Sequence, residues 1–468
     1  MYYLGGHPFH RNLIPAVYDM VSTNEQAGRP DKGTEGSAID RMLRVFGDVR
    51  AGEGRDVVFM FLNIFLLLLA YYVLKTVREP LILTAGGAEL KIYASAAQAA
   101  VLLFYVPAYG LLVSRLPRQR LILVVVLFFF AWIQLFFFAG LAGLPFVGFA
   151  FYVWVGIFSL TMIAQFWSMA NDIYSKPEGD RLFPLIAIGS TAGAPLGAAL
   201  AERLFASGVS PWTMMQLAGA VLLLHLGLYY TVRRTSRRPA SPAKTAHAGG
   251  NGFALVLHSP YLRLIALLLV LLNIVNTTGE YILSSLVTDR ATALANATPG
   301  FDQGAYIGAF YGSYFFWVNI ASVILQAFVV SRVVKYLGMA GALFALPVIA
   351  FGAYGLIATS GAIMLVRVMK TLENSTDYSV MNTAKQMLWL PTTPDQKFKA
   401  KQAIDTFFVR IGDMLAAAVV FLGTTFVALT PSGFAGFNIV FVVASLGVAW
   451  ALLREYRQMT QETPAKAA

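Results

Sequence analysis

Apolar runs of roughly 20 residues recur along nearly the whole of this 468-residue sequence. A helix of about 20 residues is as long as the hydrocarbon core of a bilayer is thick. The composition agrees, because 57% of the residues are hydrophobic and only 13% are charged, too apolar for a water-soluble core. The sequence therefore predicts an all-α, multi-pass membrane protein whose surface partner is lipid.

The apolar runs predict about twelve transmembrane helices. The predicted spans are 57–79, 92–113, 120–140, 146–172, 182–204, 212–232, 261–287, 305–331, 339–359, 361–389, 402–429 and 433–453. Basic residues cluster in alternate loops, as at Arg115, Lys176, Arg332 and Lys397. The positive-inside rule assigns those loops to the cytoplasm and predicts that both termini are cytoplasmic.

A basic stretch rich in Pro, Ala, Ser and Gly divides the chain into two parts of similar size. We interpret residues 233–260 as a cytoplasmic linker between two six-helix halves, 56–232 and 261–454. A Ser-Arg pattern in residues 110–118 has a weak counterpart in residues 330–335, which favours an internal duplication. Six plus six helices is the arrangement of the major facilitator superfamily.

The predicted cytoplasmic tails are residues 1–55 and 455–468. Ser37 is placed to cap a short helix in which Ile39, Met42, Leu43 and Phe46 share an apolar face, as in a helix that lies in a membrane interface. A disordered linker is the alternative. The first tail contains several acidic residues, unlike a transit peptide, so a bacterial inner membrane is favoured over an organelle.

Several kinds of chemistry lack their motifs in this sequence. There is no cysteine, no HExxH pair, no phosphate-binding loop and no dinucleotide fingerprint, so no enzyme, metal site or cofactor is predicted. The formal net charge of +11 is explained by loops that face anionic lipid, rather than by nucleic-acid binding.

Polar residues form stripes along four predicted spans, where apolar residues are expected. In the tenth span they project onto an arc of roughly 120°. The stripes comprise Tyr71, Lys75, Arg78 and Glu79; Gln165, Ser168, Asn171 and Asp172; Asn273, Asn276, Thr277, Glu280 and Ser284; and Arg367, Lys370, Glu373, Asn374, Asp377 and Lys385. One interpretation is that ion pairs such as Lys370 with Asp377, or Arg78 with Glu280, fix helix packing. The other is that the cations face a wet cavity and bind an anion, with carboxylates beside them that gate the cavity or carry protons.

Motifs spread along the chain are similar to those of one known family. They are Lys75-Thr-Val-Arg78-Glu79-Pro, Gly87-Ala-Glu89, Phe166-Trp167, Arg181-Leu-Phe-Pro184, Glu280, Asp377-Tyr-Ser379, Asn382-Thr-Ala-Lys385, Lys399-Ala-Lys401-Gln-Ala-Ile-Asp405 and Arg410-Ile-Gly412. In these the chain resembles the bacterial and plastid ATP/ADP translocases, a divergent branch of the major facilitator superfamily. The resemblance implies nucleotide exchange by alternating access between two half-domains, with basic residues that hold phosphates.

We accordingly expect two groups of site residues. The substrate-binding group is Lys75, Arg78, Arg367, Lys370, Asn374 and Lys385. The gating or coupling group is Glu79, Asn171, Asp172, Glu280, Asp377, Asp405, Arg410 and Asp413. The family leads us to expect a lysine where this chain has Asp413, which reverses a charge and can pair with Arg410.

The substrate is thus predicted as an anionic small molecule: ATP and ADP, another nucleotide or a different metabolite. The sequence does not fix the oligomeric state, and a monomer is compatible with it. Two other interpretations stay open. One is a proton-coupled carrier or exporter of an unrelated small molecule. The other is a membrane scaffold that has kept a transporter fold without transport.

Overall fold

The computed structural model describes residues 37–235 and 252–462, and all regular structure in those residues is helical. The helices are α1 Ala38–Leu43, α2 Gly54–Arg115, α3 Arg118–Leu141, α4 Val147–Ile173, α5 Lys176–Ala206, α6 Pro211–Thr235, α7 Gly252–His258, α8 Pro260–Ala297, α9 Gln303–Ile324, α10 Val330–Thr359, α11 Ile363–Thr376, α12 Asn382–Met387, α13 Lys401–Ala403, α14 Val409–Phe426 and α15 Pro431–Glu462. Turns of π-helix lie at Leu325–Val329, Asp377–Met381, Gln396–Ala400 and Ile404–Phe408. The predicted all-α membrane architecture is confirmed.

Within the described residues, nine helical stretches are long and apolar enough to cross a membrane. Two of them, Gly54–Arg115 and Gln303–Thr359, contain 62 and 57 residues. A straight helix of that length would measure about 90 Å, roughly three times the thickness of a hydrocarbon core. Each stretch instead breaks between two predicted spans, at Gly86–Gly87 and at Gly338.

The breaks depend on glycine. Gly87 has φ 68° and Gly338 has φ 61°, in the left-handed region that a residue with a Cβ adopts only at a cost. The predicted tenth span is a continuous helical run over residues 363–387, in which a π-turn lies between α11 and α12. The count of twelve spans stays a prediction.

Several predicted boundaries fall partly outside the described residues. The structure does not describe residues 1–36, 236–251 and 463–468. These residues include most of the predicted linker and the outer part of each predicted tail. The described end of the linker contains α7, and α15 continues past residue 454 to Glu462. The division into two halves at 233–260 therefore stays a prediction.

The chain divides into two compact units at residue 55, and residues 37–55 are the described part of the first unit. Ser37 caps α1 as expected, and the cap is reciprocal: the Asp40 amide donates to Ser37 Oγ at 3.2 Å and the Ser37 amide donates to Asp40 at 2.8 Å. The predicted apolar face is only partly on the helix: Ile39 and Met42 of α1 are exposed, but α1 ends at Leu43 and Phe46 lies in the turn after it.

Small residues let α5 pack closely on the first half of α2. Gly189, Gly193 and Gly197 lie against the backbone carbonyls of Phe61, Phe65 and Leu69, so a Cβ at any of the three would collide with α2. A four-residue spacing of small residues is typical of such close helix contacts in membrane proteins. The far end of α5 packs on α9 in the same manner, with Gly308 against Phe205 and Gly312 against Glu202.

Candidate functional site

A cavity of about 640 Å³ lies among the helices of the larger unit. Its wall comes from both sides of the predicted linker and contains four cations and three carboxylates. These are Lys75, Arg78, Lys91 and Arg410, with Glu79, Glu280 and Asp413. The volume is in the range of small-molecule sites, and ionisable groups inside a membrane protein usually mark a substrate or ion pathway.

Glu79 is the buried centre of one charge cluster. Its carboxylate lies 3.0 Å from Nε of Arg78 and 2.8 Å from Nζ of Lys91. The guanidinium carbon of Arg78 also sits 4.2 Å from the centroid of the Tyr152 ring, an attractive cation–π arrangement. Within the described residues the terminal amino groups of Arg78 make no hydrogen bond, so they are available to a ligand.

Lys91 is the site residue that the sequence prediction missed. Its ammonium donates to Ser284 Oγ at 2.8 Å and to Tyr311 Oη at 3.3 Å, and lies 3.9 Å from Glu280. The side chain is nevertheless almost completely buried. The only sequence signal was weak, because a lysine directly before a predicted span resembles one that reaches to the membrane interface.

Glu280 is held in the wall by residues of α9 and α11. Tyr314 Oη donates to its carboxylate at 3.0 Å and Asn374 Nδ2 donates at 2.9 Å, while Nζ of Lys370 lies 3.9 Å away. Asn374 lines the cavity with Glu280, as the polar stripe predicts.

Lys370 itself does not face the cavity. Its side chain is fully buried and pairs with Glu373 at 2.9 Å, while Tyr354 donates to the same Glu373 oxygen. The predicted pairing of Lys370 with Asp377 is therefore wrong, since residues three apart on α11 meet directly. The predicted pairing of Arg78 with Glu280 is also wrong, because Glu79 lies nearer to Arg78.

The predicted stripe on the tenth span does not continue as one face. The π-turn at Asp377–Met381 inserts an extra residue into the turn and rotates the residues after it about the helix axis. Asp377 and Lys385 pair with each other at 2.9 Å and line a second cavity of about 50 Å³. Arg367 donates to Ser313 at 2.7 Å instead of lining the main cavity.

Asp413 lies in the cavity wall with its carboxylate hydrogen-bonded to three side chains. Its carboxylate accepts from Arg410 at 3.0 Å, Asn273 at 2.7 Å and Thr277 at 2.9 Å. The expected Asp413–Arg410 pair is thus present. Asp413 neutralises Arg410 and lowers the positive charge that this wall offers to a ligand.

Lys75 has no such compensation. Within the described residues no carboxylate lies within 4.0 Å of its ammonium, which instead sits 4.2 Å from the Phe315 ring centroid and 5.1 Å from that of Tyr72. Since the other three cavity cations each face a carboxylate, the wall carries one uncompensated positive charge. An anion is the natural complement of that charge.

The remaining predicted residues lie outside the main cavity. Asp405 lines a smaller adjoining cavity of about 240 Å³, which shares Arg410, Leu160 and Ala164 with the main one. Asn171 and Asp172, at the end of α4, line neither cavity.

The two ends of the main cavity differ. Beyond the Gly86–Gly87 break, Tyr93 of α2 contacts Phe421 of α14 with ring centroids 6.5 Å apart, on the side where α5 packs on α9. At the other end the adjoining cavity is lined by residues 102–109 of α2, by residues 160–164 in the middle of α4, and by the π-turn Ile404–Phe408 and the first residues of α14. The cavity therefore extends toward the side that the loop charges predict to be cytoplasmic.

Some known proteins are similar to this chain in sequence, and others are similar to it in fold. A family model described as "TLC ATP/ADP transporter" matches residues 34–140 and 148–458. The chain is 26% identical over 309 residues to ADP,ATP carrier protein 1 of Chlamydia muridarum, a match that covers 56% of each chain. It is 25% identical over 352 residues to the plastidic ATP/ADP-transporter of Solanum tuberosum, covering 67% of this chain and 54% of that protein. The chain thus spans little more than half the length of these relatives.

Solved structures share the fold at low sequence identity. The nucleoside transporter NupG matches with a TM-score of 0.62 at 12% identity, covering 85% of this chain and 98% of that one. A bacterial homologue of the iron transporter ferroportin, in an inward-facing state, matches with a TM-score of 0.63 at 15% identity over 85% and 98% of the chains. These neighbours have the major-facilitator fold.

Proposed function

This chain belongs to the TLC ATP/ADP transporter family, and from that premise we propose that it is a secondary transporter that moves a nucleotide or a related anionic metabolite by alternating access. The proposed location is a bacterial inner membrane, with both termini in the cytoplasm. It is not proposed to be an enzyme, since the family is one of transporters.

The observation that carries the proposal is the uncompensated charge of Lys75. A cation held inside a membrane protein without a carboxylate is costly unless a ligand completes it. The terminal amino groups of Arg78 face the same cavity and suit the paired oxygens of a phosphate. Lys75 and Arg78 therefore form the proposed anion site, with Asn374 beside it.

Three of the residues expected to bind substrate have other proposed roles. Lys370, Arg367 and Lys385 are each engaged with protein groups, and none lines the main cavity. We propose that the Lys370–Glu373 and Lys385–Asp377 pairs stabilise the tenth span before and across its π-turn. The carboxylates Glu79, Glu280 and Asp413 act as gating groups, because their ion pairs must rearrange when the cavity changes sides.

A non-transporting scaffold is the alternative from another class. It requires the polar residues to close on one another with no central opening. Many of them do pair, but a cavity of about 640 Å³ with a free cation in its wall supports transport. No observation in the described residues specifically favours proton coupling over exchange.

The test is ligand-induced thermal stabilisation of the purified protein by ADP, AMP, pyrophosphate and simple dicarboxylates. A ligand at 100 times its Kd stabilises the folded state by about 2.7 kcal/mol. We expect at least one phosphorylated compound to raise Tm and the shift to disappear in Lys75→Gln. The matched control is Lys335→Gln, since Lys335 is exposed and far in sequence from the cavity residues. A Lys75→Gln protein with an unchanged ligand shift would refute the assignment.

A further inference from the structure

We propose that the smaller cavity beside the charged one is a nucleobase subsite that selects bases with an exocyclic amino group. This inference rests on the proposed function, since it names the part of the substrate that lies next to the anion site. The base subsite consists of Tyr105, Tyr109, Asp405 and Thr406, with an apolar floor of Leu102 and Val106. Its volume of about 240 Å³ is small for a whole metabolite and suits one heterocycle.

The first observation is a pair of tyrosine rings in this cavity. Tyr105 and Tyr109 stack with centroids 5.8 Å apart and ring planes 13° from parallel. Tyr105 is fixed by a 2.8 Å hydrogen bond between its hydroxyl and Thr161 Oγ1. A held aromatic surface of this kind is what a flat base stacks on.

These rings differ from the aromatic rings of the main cavity. There, Tyr152 faces Arg78 and Phe315 faces Lys75, so protein cations already occupy those ring faces. Within the described residues no Lys or Arg lies over Tyr105 or Tyr109. Both tyrosines line the cavity and are partly exposed, so the pair offers ring surface that no protein cation occupies in the described residues.

The second observation is the carboxylate of Asp405. It lies in the π-turn Ile404–Phe408, is exposed to the cavity, and among the described residues has no hydrogen bond and no cation within 4.0 Å. An ionised carboxylate only accepts hydrogen bonds, so it suits the exocyclic amino group that adenine carries at C6 and cytosine at C4. It opposes the carbonyl that hypoxanthine or uracil presents at the equivalent position.

The third observation is that the two cavities adjoin. Arg410, Leu160 and Ala164 line both, so the two cavities lie side by side. Gln98 lines the charged cavity and Tyr105 lines the base subsite, and seven residues of helix separate them by about 10 Å. One nucleotide laid along α2 spans that separation, with its base at the tyrosine pair and its phosphates near Lys75 and Arg78.

The test compares ligands matched in size that differ at one position. ADP against IDP, and CDP against UDP, each differ by an amino group exchanged for a carbonyl, while inorganic pyrophosphate lacks a base. We expect the wild-type protein to bind ADP and CDP about tenfold or more tightly than IDP and UDP. Asp405→Asn should abolish this preference. Tyr109→Leu should weaken all four nucleotides and leave pyrophosphate binding unchanged.

Asp395→Asn and Tyr336→Leu serve as controls, because both residues are exposed and line neither cavity. Unliganded Tm is measured for every variant to confirm that each one folds. Equal binding of ADP and IDP by the wild type, or an unchanged preference in Asp405→Asn, overturns the base subsite. Binding of pyrophosphate with no gain from any base overturns it while sparing the proposed anion carrier. Failure of every phosphorylated compound to bind overturns both.

Discussion

Nζ of Lys91 lies 2.8 Å from a carboxylate oxygen of Glu79, although the Gly86–Gly87 break separates the two residues along α2. The same ammonium contacts Ser284 of α8 and Tyr311 of α9. Lys91 therefore links both arms of α2 to α8 and α9, near the end of the cavity where Tyr93 contacts Phe421, which we call the closed end.

Loss of this contact should favour opening at the closed end. We expect Lys91→Met to increase, by about tenfold or more, the fraction of molecules open on that side, since each 1.4 kcal/mol is a factor of ten. The chain has no cysteine, so a single Ser159→Cys in the cavity wall reports access. The measurement is its rate of labelling by a membrane-impermeant maleimide added from the closed side.

Lys91→Arg is the matched variant, because it keeps the charge and should label slowly. If Lys91→Met labels at the rate of the parent protein, the Lys91–Glu79 pair does not hold that end closed.

The buried Lys370–Glu373 pair should contribute to stability more than to binding. Lys370→Met leaves the Glu373 carboxylate buried without its cation, which should cost about 3–5 kcal/mol of unfolding free energy. The double variant Lys370→Met with Glu373→Gln should regain much of that loss. Denaturant unfolding of the detergent-solubilised protein measures both, with Lys335→Met as the surface control. Equal stability of the single and double variants would contradict a structural role for the pair.

Two glycine substitutions should have opposite effects. Gly193→Ala places a methyl group against the Phe65 carbonyl and should destabilise the protein by about 1–3 kcal/mol. Gly352→Ala lies in α10 with open space around it and should be neutral or stabilise by up to about 1 kcal/mol. Thermal unfolding of the two variants side by side tests this, and a Tm for Gly193→Ala at or above that of Gly352→Ala would refute the tight α2–α5 contact.

The short segment before α2 should respond to acid. Burial alone would raise the pKa of Asp40, but hydrogen bonds from the amides of Gly52, Gly54 and Ser37 and from the Ser37 hydroxyl outweigh it and hold the pKa below the usual 3.8. A lowered pKa means that the stabilisation is complete above about pH 4 and is lost as pH falls through the folded-state value. The protection of the Gly52 and Gly54 amides, measured as hydrogen exchange relative to the intrinsic rate at each pH, should therefore stay high down to about pH 4 and fall below it. In Asp40→Ala these amides should exchange fast throughout, and slow exchange in that variant would show that another group protects them.

The membrane class, the positions of most helices and the cap at Ser37 could be predicted from the sequence because each depends on local composition or spacing. The polar stripes also placed Lys75, Arg78, Glu79, Glu280 and Asn374 near one another, since polar residues on apolar helices converge where water is admitted.

The errors came from geometry that spacing does not record. The extra residue of the π-turn after Thr376 separated Lys385 from the stripe, and no sequence pattern marks such a turn. Lys91 was overlooked because its partners lie at positions 79, 280, 284 and 311, brought together only by the break at Gly86–Gly87. Partner choice among buried charges depends on these tertiary distances, so the predicted Lys370–Asp377 and Arg78–Glu280 pairs were wrong.

The glycine contacts of α5 have a mechanical consequence. At Gly189, Gly193 and Gly197 the helix rests directly on the α2 backbone, without side chains between them that could yield. The first arm of α2 carries Lys75 and Arg78. It must therefore move together with α5 as one rigid unit. The other end of α5 packs on α9 at Gly308 and Gly312. A bound anion that displaces Lys75 therefore also displaces α5 at its contact with α9, on the side of the closed end.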